Sequence, residues 1–180
     1  MIIGLTGRIA SGKGSAVKFF SEKNFKNVTI SDLIKQELIK RGIPVTRENL
    51  QDIGDEVRRE EGAGAWVKRI NFSEKDLIVD GLRNPGEVEE LKKHRNFSLI
   101  SIDCPQEVRY KRIVSRGMER DKMSFEDFVK KDNREIMEKE STKMQLEECM
   151  NLADFNIENI GTMQEFYEKL EEIYGKILNK

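Results

Sequence analysis

The segment Gly7-Arg8-Ile9-Ala10-Ser11-Gly12-Lys13-Gly14-Ser15 restricts this chain more than any other stretch, and it is entered from the apolar run Met1-Ile2-Ile3-Gly4-Leu5-Thr6. A strand pattern runs into a glycine turn, and a helix carrying Ala16, Val17, Phe19 and Phe20 follows. With Gly7 and Gly12 in this spacing and a lysine next, successive backbone N–H groups converge on one anion, and the helix N-terminus behind them adds partial positive charge. The segment reads as a phosphate-binding loop. Its candidate contacts are Gly7, Arg8, Ala10, Ser11, Gly12, Lys13, Gly14 and Ser15, with Lys13 as the point charge for the outer phosphates. Gly14 follows the lysine, so the hydroxyl comes one residue later than in the pattern G-x-x-x-x-G-K-[ST], at Ser15.

A chain of 180 residues suits one domain, residues 1–180, with a core that needs neither disulfide nor metal. The net charge of -1 supplies no field that would collect nucleic acid. Cys104 and Cys149 stand apart without ligand-like spacing, as buried or neutral thiols do in a reducing compartment. No basic segment precedes an apolar core at the start, and no apolar run approaches the ~18 residues of a membrane span, so a cytoplasmic protein is expected.

Short apolar runs recur at Ile2–Thr6, Val28–Ile30, Leu77–Val79, Leu99–Ile102 and Phe155–Ile157, with helical periodicity between them. Strands buried on both faces look like this, and the alternation predicts an α/β fold with a doubly wound parallel sheet of about five strands. Ligands of such sheets sit at the carboxyl ends of the strands. The chemistry-bearing residues of this chain gather at those ends.

After the second run, Ser31 and Asp32 open a helix, Ser31 as its cap and Asp32 favouring its dipole; alternatively Asp32 and Lys35 face a second substrate. The third run ends in Asp80-Gly81-Leu82-Arg83. A carboxylate at that place suits Mg²⁺, which takes few protein ligands and keeps waters, and the Arg83 fork suits a phosphate. Asp80 is therefore a candidate metal ligand together with the Ser15 hydroxyl. Pro105 opens a further helix on which Arg112 and Arg116 share one face. Residues 42–75 read as a charged helical pair interrupted by Gly62 and Gly64, a solvated and mobile appendage with Trp66 as packing; a resemblance to the acceptor flap of nucleotide kinases at this place implies Arg47, Arg58 and Arg69 as candidate substrate ligands. His94 is expected to be exposed and inert. Met163, Phe166, Tyr167, Leu170, Ile173, Tyr174 and Ile177 form one face of a last helix, capped by Thr162 and Glu165.

The Gly12-Lys13-Gly14-Ser15 ending, the Asp32/Lys35 pair, the Asp80-Gly81-Leu82-Arg83 run and the Arg112/Arg116 pair resemble, in order, the P-loop nucleotide kinases, adenylate-kinase-like and dephospho-CoA-kinase-like members in particular. The resemblance extends from Met1 to about Thr162. It implies a P-loop nucleoside triphosphate hydrolase type of fold, with ATP and Mg²⁺ as cofactors and transfer of the γ-phosphoryl to a small nucleotide acceptor. Lys13, Asp32, Arg83 and Arg116 would be catalytic. Asp32, Lys35, Arg58 and Arg83 would hold the acceptor beneath a helical flap at 42–75. Arg112, Asn159 and Gly161 would line the nucleoside of the donor, and residues 117–131 would form a short lid returning through Asp132-Asn133-Arg134, without zinc because no cysteine lies in it. Pro is missing from the D-G-[FY]-P-R element that Asp80–Arg83 resembles, and lysine replaces the usual arginine at Lys35.

Two acceptors stay open. A nucleoside monophosphate is favoured because the acceptor flap has no clear counterpart in dephospho-CoA kinases, whose double aspartate is here Ser31-Asp32. Dephospho-CoA, with a hydroxyl acceptor, is the alternative. A P-loop ATPase or assembly factor without an acceptor is a third reading, whereas the absence of N-K-x-D and L-S-G-G-Q motifs disfavours GTPases and transporter ATPases. Neither a nucleic-acid partner nor a membrane is expected, and the oligomeric state is open.

Overall fold

Apolar alternation along each strand settles which helices cover which face of the sheet. The computed structural model of the chain describes residues 1–117, 124–136 and 145–180. Its elements are β1 (Ile2–Thr6), α1 (Lys13–Glu22), β2 (Lys26–Thr29), α2 (Ile30–Lys40), α3 (Arg47–Glu61), α4 (Ala65–Lys68), β3 (Leu77–Leu82), α5 (Pro85–Lys92), β4 (Phe97–Asp103), α6 (Gln106–Arg116), α7 (Phe125–Ile136), α8 (Leu146–Asn151), β5 (Phe155–Glu158) and α9 (Met163–Leu178). The five strands pair in parallel in the order β2-β3-β1-β4-β5, as the alternation of strands and helices predicts.

Ile3, Leu5, Ile78, Ile100, Ile102 and Ile157 point to one face and pack with Phe19 and Phe20 of α1 and with Phe166, Leu170, Ile173 and Ile177 of α9. Ile2, Leu77, Val79 and Leu99 point the other way, onto α2, α3, α4, α5 and Cys149 of α8. A smaller cluster of Ala10, Ile113 and Phe128 joins the phosphate loop to α6 and α7. Both faces are thus covered, which is why these strands are continuous apolar runs.

The segment 42–75 departs from the mobile appendage expected of it. Thr46 caps α3, as expected for a helix starting there. However, Ile53 and Val57 of α3 and Ala65, Trp66 and Val67 of α4 are core residues. Trp66 is fully buried, and its indole N–H donates to the Gly54 carbonyl at 3.1 Å. A solvated helix needs only a charged outer face, and α3 has one; its inner stripe reads through the charges as an ordinary amphipathic face.

Local details differ as well. Thr29, not Ser31, caps α2: its hydroxyl accepts from Asp32 N–H at 3.1 Å. Pro105 takes the position before the first residue of α6. The Thr162/Glu165 capping box is present. His94 is half-buried, its ring 4.3 Å from that of Phe72.

If residues 47–68 belong to the core, Trp66→Ala should cost about 3–5 kcal/mol of global stability in urea unfolding. A loss below about 1 kcal/mol, or a separate early transition, would mean that the segment is only loosely attached.

Candidate functional site

The strand β1 delivers the chain into the phosphate loop, and glycine is required there by space. Gly7 has φ 138, and a Cβ on it would run into the Ile102 carbonyl oxygen of β4; Gly12 has φ 121, and a Cβ there would strike the Asn159 amide. The loop therefore lies tight against the ends of β4 and β5. No side chain caps α1 and its first turn holds no acidic residue, so its leading N–H groups remain available to an anion. A Cβ added at Gly14 would meet nothing within 4 Å.

Asp80 lies in register with Leu5 of β1 and Thr29 of β2. Gly81, at φ 84, then shifts the register so that Thr6 pairs with Leu82, and this turns Asp80 and Arg83 out at the strand end. Asp80 is half-buried as a residue, yet its Oδ1 is shut off from solvent and has no hydrogen-bond donor. Burial pushes its carboxyl above the ordinary carboxylate range, while Lys13, the Gly81 N–H and Arg83 pull the other way and Asp32 adds to the rise. Lys13, Arg83 and Asp32 thus all act on one carboxyl group. Of the four residues expected to be catalytic, Lys13, Asp32 and Arg83 lie within electrostatic reach of Asp80, and Arg116 is not among the groups that act on it.

In this arrangement Lys13 Nζ folds back onto the Gly7 and Arg8 carbonyls at 2.6 and 3.0 Å. Asp32 receives Lys35 Nζ at 2.6 Å and the Thr29 hydroxyl; these bonds, Lys35 first, hold its carboxyl below the usual range against a modest opposing effect of burial. On the other side of the loop, Arg112 donates to the Ser11 carbonyl at 3.3 Å and to the Asn159 carbonyl at 2.9 Å, and the Asn159 amide donates to Ser11 O at 2.8 Å. Ser11 Oγ is buried without a partner. Arg112 and Asn159 therefore meet at the loop.

Other expected residues stand elsewhere. Arg116 ends α6 on the exposed surface. Gly161 is exposed, and a Cβ on it would collide with the Glu165 carboxylate that closes the α9 cap. Arg58 is corrected outright: its side chain is 4% exposed and bonded to Glu87 at 2.8 Å and Asp55 at 3.2 Å, so it cannot hold a substrate. Arg69 is paired with Glu37 and Glu61 over the Trp66 ring. Of the lid at 117–131, residues 118–123 lie outside the described residues.

A buried pair that spacing did not disclose fixes the return from that stretch. Arg109, 1% exposed, makes two bonds of 2.6 Å to Asp132 of α7 and donates to the Cys104 carbonyl. Gln106 also reaches Asp132, and Arg8 of the loop lies 3.8 Å from it. Burial raises the Asp132 carboxyl, but the Arg109 bonds and charge outweigh it and leave it below the ordinary value. A cleft of about 290 Å³ opens here, bounded by Arg8, Asp103, Gln106, Arg109, Asn133 and Glu158.

The residues fit a nucleotide and Mg²⁺ on the chain's own terms. The donorless Asp80 Oδ1 and the N–H groups at the start of α1 are what a divalent ion and an anion would satisfy. Among the described residues no group of three or more His, Cys, Asp and Glu could hold a metal ion.

An AAA domain model matches residues 3–145. The chain is 35% identical over 188 residues to a UPF0200 protein of Pyrococcus abyssi, covering 99% of this chain and 97% of that protein. It is 35% identical over 185 residues to a UPF0200/UPF0201 protein of Archaeoglobus fulgidus, covering 98% of this chain but only 55% of that longer protein. Among solved structures, it resembles a shikimate kinase from Aquifex aeolicus, with a TM-score of 0.55, 14% identity and all of both chains covered. A gluconokinase from Sinorhizobium meliloti gives a TM-score of 0.53 at 13% identity, covering 97% of this chain and 95% of that one. These structural likenesses establish the fold, which is that of P-loop kinases.

Asp80 should cost the ligand-free protein stability, because its raised carboxyl pKa means that folding disfavours the charge. That penalty grows as pH rises above the unfolded value near ~4. Asp80→Asn is therefore expected to raise the melting temperature at pH 7, with the gap closing below about pH 4. A lower melting temperature at pH 7 would show that the carboxylate is structural.

Proposed function

We propose, since the chain belongs to the AAA domain family and to the UPF0200 proteins, that it is an ATP-dependent kinase transferring the γ-phosphoryl group to a small nucleotide acceptor, a nucleoside monophosphate first. The observation that carries this reading is the half-buried, donorless carboxyl of Asp80 at the end of β3, in register with Leu5 before the phosphate loop and with Thr29 before α2, beside an uncapped helix N-terminus. A loop that only bound a phosphate would need no second cation and carboxylate facing it from β2 and β3.

Mg-ATP, when bound, supplies the phosphoryl group and a divalent charge that offsets its oxygens. Asp80 and Ser15 would hold the ion, and Arg112 and Asn159 would border the nucleoside. The N–H groups from Gly12 to Ser15 and the Lys13 ammonium, swung from the Gly7 and Arg8 carbonyls, bind and neutralise phosphate oxygens. Arg83 and Lys35 orient the acceptor from the opposite side. An incoming acceptor phosphate would compete with Asp32 for Lys35.

The state of Asp32 favours the monophosphate. A carboxyl held below its usual range is a weak proton acceptor, and an acceptor phosphate arrives already ionised and needs none. Dephospho-CoA is the second reading, in which Asp32 would take the proton of the acceptor hydroxyl as that oxygen attacks the γ-phosphorus.

ADP formation measured with Mg-ATP alone, with a panel of nucleoside monophosphates and with dephospho-CoA tests this reading. Stimulation by a monophosphate is expected, and a rate unchanged by every acceptor would overturn the kinase assignment. Lys13→Ala should reduce turnover by on the order of 100-fold or more while folding survives. Asp32→Asn separates the acceptors: with a phosphate acceptor it mainly raises KM, whereas with a hydroxyl acceptor kcat falls by about 10²–10⁴-fold.

A further inference from the structure

The Arg58 that was expected at the acceptor belongs to a buried device with a different task. Glu87, with no exposed surface, lies in the first turn of α5. Its Oε2 accepts the backbone N–H groups of Arg83 at 3.0 Å and of Asn84 at 3.3 Å. Its Oε1 accepts Nη2 and Nε of Arg58 at 2.8 and 3.1 Å, and Arg58 also donates to Asp55. The Gln145 N–H meets the Arg83 carbonyl at 2.7 Å, so the peptide groups on both sides of Arg83 are held. Glycine packing locks the same corner. A Cβ on Gly86 would strike Ala63 in the turn between α3 and α4, and one on Gly64 would press the Gly86 carbonyl at 2.9 Å.

A charged pair buried among Ile53, Val57, Trp66 and Val88 is a poor source of stability, because well-packed apolar residues serve as well. A capping box also needs only a surface glutamate. What the burial adds is direction: both carboxylate oxygens are committed, one to the backbone that presents Arg83 and the other to α3. We propose that Glu87 is a positioning residue for Arg83, fixing the strand-end turn from which Arg83 meets the acceptor phosphate, and that Arg58 fixes Glu87. The inference rests on the kinase reading for the role of Arg83. The acceptor side is on this account a built-in wall of the core and not a flap that closes over the substrate.

The test uses the substitution Glu87→Gln. An amide has one acceptor oxygen and cannot serve both Arg58 and the Arg83 turn. ATP affinity, measured by calorimetry without acceptor, should stay within about twofold, while the KM for the monophosphate acceptor rises at least tenfold with kcat changed less than threefold. The double variant Arg58→Met/Glu87→Gln removes the competing cation and the Glu87 charge, leaves Asp55 without its Arg58 bond and frees the amide oxygen for the Arg83 and Asn84 N–H groups. Its acceptor KM should return to within about threefold of wild type. An unchanged KM in the single variant, an equal loss of ATP affinity, or no recovery in the double variant would overturn the positioning role. Amide exchange followed by NMR keeps the result independent of turnover. The Arg83 and Asn84 amides should exchange at least tenfold faster in Glu87→Gln, and be restored in the double variant, with the phosphate-loop amides unchanged; no acceleration refutes the proposal. A wild-type protein that no acceptor stimulates, but whose exchange pattern behaves in this way, would refute the kinase reading and leave Glu87 as the residue that positions the turn.

Discussion

The carboxyl of Asp80 is the constraint on which the site depends. A parallel sheet must end its strands somewhere, and the order β2-β3-β1-β4-β5 sets β3 between the phosphate loop and the first turn of α2. Asp80 is the residue at that junction, in register with Leu5 and Thr29, and its Oδ1 is buried without a donor. An unsatisfied buried carboxyl oxygen costs folding free energy, typically about 1–3 kcal/mol. Costs of this kind persist at functional sites. The surrounding charges follow the same logic: Lys13 and Arg83 are attracted to this centre, and Asp32 is held ionised by Lys35 nearby.

Two further buried pairs keep the chains around this centre in place. Arg109 with Asp132 binds α7 to α6 and lies against the phosphate loop through Arg8. Arg58 with Glu87 binds α3 to the strand end that carries Arg83. Each is a charge pair withdrawn from solvent, where losing one partner strands the other and costs roughly 3–5 kcal/mol. The phosphate loop and the strand end that carries Arg83 are therefore both tied to rigid elements.

Much of this was legible in the sequence, for identifiable reasons. The phosphate loop, the parallel sheet and the strand-end position of Asp80 follow from local glycine spacing and apolar runs, which need no knowledge of distant contacts. The α5 start is equally local, as Asn84-Pro85-Gly86-Glu87 is a capping box with proline at the first turn. What could not be read was which charges go inside. Arg58 and Arg69 look alike in a charged helical segment, but one is buried against Glu87 and the other lies over Trp66, a distinction made only by the fold. Arg109 and Asp132 are far apart in the chain, and no local pattern announces their pairing. The segment 42–75 was misjudged because charge density on the outer face of α3 masked the spacing of Ile53 and Val57 on the inner one.

If Asp80 holds the cation that accompanies a nucleotide, the Mg²⁺ dependence of ATP binding shows it most directly. Calorimetric titration of ATP into the wild-type protein, with and without Mg²⁺, should show at least tenfold tighter binding with the ion. In Asp80→Asn that increment should vanish, while the Mg²⁺-free affinity is kept or improved. An Asp80→Asn protein with the full wild-type increment would contradict the account.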